Sequence, residues 1–209
     1  MIARLISRFG RFGAAVLALI IVQTLILVWM VGDRVSILRS SDVVTLKSEP
    51  VDPRDLFRGD YVTLAYGVSR LSLDGMPGDT DFDMGDTIYV ELVPARDTWR
   101  AGAVYRTYPK AGEGHKVIRG RIVELTRGTP RVRPLRNNQM EEIPCADCIS
   151  IRVAYGIESY FVPEGEGRTL EEERNASALS VDVALASDGE AAIKGLRIDG
   201  EPVYQEPLF

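Results

Sequence analysis

The chain has few metal and redox ligands. Among its 209 residues are one histidine, His115, and two cysteines, Cys145 and Cys148. A zinc site built on the cysteine pair needs two further ligands, and one histidine cannot supply both. A serine-hydrolase triad must also use His115, and nothing in the sequence brings it to a nucleophile. No metal and no cofactor is therefore expected. Acid is missing from the first 32 residues, whose only basic residues are Arg4, Arg8 and Arg11. The rest carries 22 Lys and Arg against 30 Asp and Glu, a net of −8. A net basic face is absent, which excludes a general nucleic-acid binder.

What the N-terminus does have is one long apolar run. Phe12 to Val31 contains only Gln23 and Thr24 as polar side chains. Twenty residues of helix rise about 30 Å, the thickness of the hydrocarbon core. Trp29 sits where an interfacial aromatic is favoured, and the three preceding arginines keep the short N-terminus cytoplasmic. A cleaved signal peptide has a shorter apolar region of about 7–15 residues ending in small residues. This run closes instead with Trp29-Met30-Val31-Gly32. The expected layout is a cytoplasmic tail at 1–11, a transmembrane helix at 12–31, a polar tether at 32–41 and an extracytoplasmic domain at 42–209.

The domain reads as β. Strand-like runs cover Val43 to Lys47, Tyr61 to Val68, Thr87 to Val93, Trp99 to Thr107, Lys116 to Leu125, Ile149 to Ile157, Leu179 to Leu185 and Ala191 to Ile198. They are separated by Gly-, Pro- and Asp-rich turns, with Asp188-Gly189 a strong hairpin signal. In Tyr61 to Val68 strict alternation sets Val62, Leu64, Tyr66 and Val68 on one face and Tyr61, Thr63, Ala65 and Gly67 on the other. Thr126 to Asp147 lacks periodicity and is long for a connection. Val62-Thr63-Leu64-Ala65-Tyr66-Gly67-Val68 is echoed by Ile151-Arg152-Val153-Ala154-Tyr155-Gly156-Ile157, each followed by a polar loop and a hairpin. The echo suggests two related β units, set at 42–125 and 149–209, in a mainly β sandwich or barrel-like domain behind a single transmembrane helix.

The densest stretch is Pro50 to Val68. Asp52, Arg54, Asp55, Arg58 and Asp60 alternate in sign there, beside Pro53 and Gly59. An arginine fork suits a carboxylate or phosphate; the plain alternative is a turn held by local ion pairs worth about 0–1 kcal/mol each. Asp79-x-Asp81-x-Asp83 resembles the start of a calcium loop, but Gly85 and Glu91 fall one position late. The first reading of Cys145 and Cys148 is a disulfide at the end of the long loop, as outside the cytoplasm, with two free thiols as the alternative. Arg119, Arg121, Arg127, Arg131, Arg133 and Arg136 form a basic cluster suited to anionic headgroups or an acidic partner loop. The topology also allows a membrane-tethered Ser-Lys hydrolase, with Ser40, Ser41 or Ser48 as nucleophile and Lys116 as base. Arg58-Gly59-Asp60-Tyr61-Val62 looks like the Arg-Gly-Asp turn of signal peptidases, though no Ser-Met-x-Pro follows the anchor.

Gly59-Asp60-Tyr61-Val62-Thr63-Leu64-Ala65-Tyr66 matches the pattern Gly-Asp-Tyr-x-x-Leu-x-Tyr, and so resembles the bacterial GDYXXLXY family. Pro50-Val51-Asp52-Pro53-Arg54-Asp55 and Tyr155-Gly156-Ile157-Glu158-x-Tyr160-Phe161-Val162-Pro163-Glu164-Gly165 resemble it too. The resemblance implies a protein anchored in the bacterial inner membrane and met beside or fused to multi-spanning membrane proteins. It assigns no catalytic residue. The expected function is an accessory or interaction module for an integral membrane partner. The signature residues Asp52, Pro53, Arg54, Asp55, Arg58, Gly59, Asp60, Tyr61, Leu64 and Tyr66 are the candidate contact surface. The Ser-Lys hydrolase and a calcium-stabilised structural module are the competing expectations.

Overall fold

Strand β1 (Val43–Glu49) follows the rule that builds the domain: Val44, Leu46 and Ser48 turn inward, while Lys47 and Glu49 face solvent. Side chains of a strand alternate between faces, so one apolar residue in two is enough to make a core wall. A computed structural model describes residues 2–49, 61–128, 131–134, 140–143, 145, 147–161 and 179–206. Helix α1 (Ile2–Leu38) is interrupted at Gly10, whose φ of +65° is not helical. From Phe12 to Leu38 it is long and apolar enough to cross a membrane, and none of its apolar window is buried in protein. Thr24 Oγ1 donates back to the Ile20 carbonyl at 2.8 Å, so its hydroxyl needs no water. Most of the segment expected to be a polar tether is thus helical, and it ends in packing: Ile37 and Leu38 are buried with Ala184 and Ala192.

After β1 come β2 (Tyr61–Thr63), β3 (Ala65–Tyr66), a 3-10 turn at Gly67–Ser69 and β4 (Arg70–Ser72). The hairpin β5 (Thr87–Ala95) and β6 (Thr98–Tyr105) follows, then the long β7 (Lys116–Arg127). Next are β8 (Arg131–Pro134), β9 (Met140–Ile143), β10 (Ile149–Ala154) and β11 (Ser159–Phe161). The chain closes with β12 (Leu179–Leu185), β13 (Ala191–Ile198) and β14 (Glu201–Gln205). Two five-stranded sheets run β14-β13-β12-β1-β3 and β4-β10-β7-β5-β6, with β11-β2 and β8-β9 as small pairs. The strands form a nearly closed, barrel-like arrangement. Its core holds Val62, Leu64, Tyr66 and Val68, the face expected from alternation, with Ile88, Val90, Leu92, Ile118, Ile151, Val181 and Val183. Each such side chain contributes about 1.5–3 kcal/mol on leaving water.

The run Tyr61 to Val68 is not one strand. It pairs with β11 through Thr63, Leu64 N–H donates to the Glu158 carbonyl at 2.8 Å, and from Ala65 it pairs with β1. The chain therefore turns a corner between sheets at Leu64. The expected long loop contains the β8-β9 hairpin, whose four-residue strands, Arg-Val-Arg-Pro and Met-Glu-Glu-Ile, are too short and polar to show a strand period. The polar stretch Leu170 to Asn175, which by its sequence suits one or two helical turns, lies outside the described residues.

The echo in sequence is an exchange in space. Val62 and Ile151, Tyr66 and Tyr155, and Leu71 and Tyr160 are each 89 residues apart. The pairs Tyr61↔Phe161, Val62↔Tyr160 and Thr63↔Ser159 reappear, at that spacing, as Ser72↔Ser150, Leu71↔Ile151 and Arg70↔Arg152. Likewise Glu49↔Ala65 reappears as Arg121↔Ala154, and Thr45↔Asp182 as Val117↔Glu91. Even the irregularity repeats: the register slips between Glu91 and Leu92 in one hairpin and between Asp182 and Val183 in the other. Strands β1 to β6 thus correspond to β7 and β10 to β13. Each half lends its hairpin to the other's first strand. By register β7 opens the second half, so the halves run 43–105 and 116–198 rather than dividing after residue 125.

Candidate functional site

The two Ala-Tyr-Gly words meet at the centre of this exchange. The Tyr66 hydroxyl donates to the Ile157 carbonyl at 2.7 Å, and the Tyr155 hydroxyl to the Val68 carbonyl at 2.6 Å. Each tyrosine therefore satisfies the carbonyl two residues beyond the other. Burial, and then the nearby Glu158 charge, push both phenols up, so both remain hydrogen-bond donors. Glu158 accepts from the Tyr155 and Gly156 amides at 2.6 and 3.0 Å. Its counterpart in the first half is Ser69, whose buried hydroxyl has no partner among the described residues.

Leu64 and Tyr66 are each about 1 % exposed, so they belong to the core and offer nothing to a contact surface. Alternation alone could have shown this, since both lie on the face with Val62 and Val68. Tyr61 is the first residue of β2, opposite Phe161. Asp52, Pro53, Arg54, Asp55, Arg58, Gly59 and Asp60 lie outside the described residues.

Beside the signature is a groove of about 390 Å3 between β1, the β3–β4 corner and β6. Trp99 and Met76 give it an apolar wall over Leu46, Tyr66 and Leu71, and Lys47, Arg70 and Arg100 bring three cations against the single carboxylate of Glu49. All three cations are exposed and have no ion-pair partner among the described residues. By sequence Trp99 and Lys47 are strand residues and no more; their convergence depends on β1 and β6 meeting.

With this geometry in view, comparison with known proteins adds one finding. A family model described as GDYXXLXY protein matches residues 23–196. The chain belongs to the GDYXXLXY family. No curated protein and no solved structure matches it.

Other candidate groups in this GDYXXLXY protein are held by local partners. Lys116 is paired with Asp42, whose amide is accepted by Ser40 Oγ at 3.1 Å, and Ser48 is fully buried. The Lys116 amine thus faces a carboxylate rather than a serine hydroxyl. The acidic loop closes on Arg106, whose guanidinium reaches Asp86 at 3.3 Å and the Asp81 carbonyl and lies 5.6 Å over the Phe82 ring. Asp79 accepts from the Arg106 amide at 2.8 Å. The guanidinium thus lies against this loop, and among the described residues no group of three or more His, Cys, Asp or Glu could hold a metal. Cys145 and Cys148 form a disulfide. Of the basic cluster, Arg119 is bound by Asp188 and Glu190, and the side chains of Arg131, Arg133 and Arg136 lie outside the described residues.

Glu91, weighed in the sequence only against the calcium-loop pattern, has a different role. It accepts from the Gly112 amide at 3.0 Å and meets His115 Nδ1 at 2.7 Å. The Gly112 bond first, and then His115, hold its carboxyl below the ordinary value. Its counterpart Asp182 binds Thr45 and Arg197, both at 2.7 Å. Both carboxylates sit at the repeated register slip, where the ladder frees space for a side-chain acceptor.

Proposed function

We propose that this chain is a single-pass module of the bacterial inner membrane that binds a multi-spanning membrane protein. Its N-terminus is cytoplasmic and its β domain extracytoplasmic. The observation that carries this is the junction at Leu38. The membrane-length helix runs to that residue, and Ile37 and Leu38 are already part of the β domain's packing. Chain connectivity alone then tethers the domain to the bilayer that the helix crosses, the compartment boundary where multi-spanning proteins are found. Three arginines and no carboxylate before Phe12 support the orientation. The disulfide supports an oxidising compartment for the domain.

Two measurements test the reading. A C-terminal alkaline phosphatase fusion is expected to be active and a green fluorescent fusion dark; the opposite pattern reverses the orientation. A photo-reactive amino acid at Arg54, Arg58 or Tyr61 is expected to capture a polytopic protein in native membranes. A blank at all three positions, in cells that express the protein normally, counts against the module.

A further inference from the structure

Each half of the barrel has a seam between its first strand and the turn of its own hairpin, and among the described residues only the second half's seam is closed. In the second half the Asp188-Gly189 turn folds onto β7. Arg119 N–H donates to the Gly189 carbonyl at 2.7 Å, and the Arg119 guanidinium binds Asp188 at 2.7 Å and Glu190 at 2.8 Å. Gly189 has φ +87°, and a Cβ there would stand 3.0 Å from Arg119 N, so the closure requires glycine.

The corresponding position in the first half is Lys47, since Lys47↔Ser180 reappears as Arg119↔Tyr89. The equivalent turn, Arg96-Asp97, is one residue shorter than Ser187-Asp188-Gly189 and has no glycine. Thr98 takes the place of Glu190 and bonds back to the Ala95 carbonyl at 3.5 Å. The seam stays open as the groove described above. Thr98 thus replaces Glu190, Asp97 keeps the acid of Asp188 without pairing with Lys47 among the described residues, and Arg70 and Arg100 bring two more cations to the groove.

We infer that the open seam binds an acidic, extended peptide segment of a partner protein. Its carboxylates, two residues apart as in Asp-Gly-Glu, take the places that Asp188 and Glu190 occupy in the closed seam. One carboxylate meets Lys47 and the other meets Arg100 or Arg70, with an apolar side chain laid on Trp99. Charge complementarity favours this occupant: three cations face one carboxylate on a domain that is otherwise net acidic. The outer edge of β6 at Thr98 to Ala101 has no strand pairing among the described residues and offers backbone groups to an added strand. The inference rests on the reading of the chain as an interaction module and names the partner's chemistry.

The test uses the full chain in nanodiscs of neutral phosphatidylcholine, with Trp29→Phe so that Trp99 is the remaining tryptophan. The probe is Ac-Ala-Ser-Asp-Gly-Glu-Ala-Ala-NH2, with its Asn/Gln counterpart as control. The acidic peptide is expected to shift Trp99 emission saturably. Binding should weaken as salt rises and fall by roughly tenfold or more in Lys47→Glu and in Arg100→Glu. Four outcomes overturn the inference: no saturable response, equal binding of the neutral peptide, affinity unchanged by both charge reversals, or a Lys47-dependent response to inorganic phosphate or phosphatidylglycerol vesicles but not to peptide. Binding that emerges only when Asp52, Asp55 and Asp60 are all Asn also overturns it, by assigning the seam to this chain's own carboxylates. Cross-linking capture that persists through a failed peptide test leaves the module reading standing and removes only the seam.

Discussion

The halves 43–105 and 116–198 share a hydrogen-bonding frame and differ in how its openings are filled. Both use a tyrosine to bond a carbonyl of the other half, and both place a carboxylate at the same register slip. The second half then completes itself. Glu158 caps the two amides after its strand, and Asp188 and Glu190 hold Arg119. The first half leaves Ser69 unbonded among the described residues and keeps an open cationic groove. Where one frame occurs twice, shared contacts are explained by folding and unshared ones call for another explanation. That contrast turns attention from the signature tyrosine to the groove next to it.

The shared contacts predict matched losses. Tyr66→Ala and Tyr155→Ala should each destabilise by about 3–5 kcal/mol, because each removes a buried ring and strands a carbonyl. Denaturant midpoints of the full chain measure this, and a large loss at one position with none at the other breaks the equivalence. The caps predict unequal losses. Glu158→Ala should cost about 1–3 kcal/mol by leaving two amides without their acceptor, while Ser69→Ala should be nearly neutral. Comparable costs from both would erase that distinction.

A pH series separates Glu91 from the rest of the frame. Its folded pKa is depressed, so its stabilising contribution is present above the ordinary value near 4.5 and fades as pH falls through the lower folded value. Glu91→Gln should therefore lose stability at neutral pH and converge with wild type in acid; a pH-independent difference would remove the electrostatic cause. The smallest effect belongs to the closed seam. Arg119 is about one-third exposed, so Arg119→Met should cost no more than about 1 kcal/mol, and less at high salt. A salt-insensitive loss of several kcal/mol would mean that the seam is held by more than these ion pairs.

Much of the architecture was legible in sequence because it depends on local periodicity. Tyr61 to Val68 buries the face that alternation assigns, and β1, β5, β12 and β13 fall where β-branched runs and turns place them. Strands without an apolar stripe, such as β8 and β9, left no such trace. The candidate site was less legible. Leu64 and Tyr66 look like contact residues only when the family pattern is taken by itself, because a motif carries residue types without saying which way they face; alternation sets them on the face of Val62 and Val68.

The sequence by itself determined the membrane-length helix, the mainly β domain, the family and the repeated Ala-Tyr-Gly word. Each is written in neighbouring residues: an apolar run, a period of two, a pattern of letters. Only the tertiary structure decided that the repeat is an exchange, with Tyr66 and Tyr155 each bonding the other's strand end. It also decided that Lys47, Arg70, Trp99 and Arg100 share a groove. The physical reason is that antiparallel pairing between the halves joins residues 78 to 100 positions apart, from Ser72↔Ser150 to Tyr61↔Phe161, and local propensity does not specify which distant edge a strand will meet.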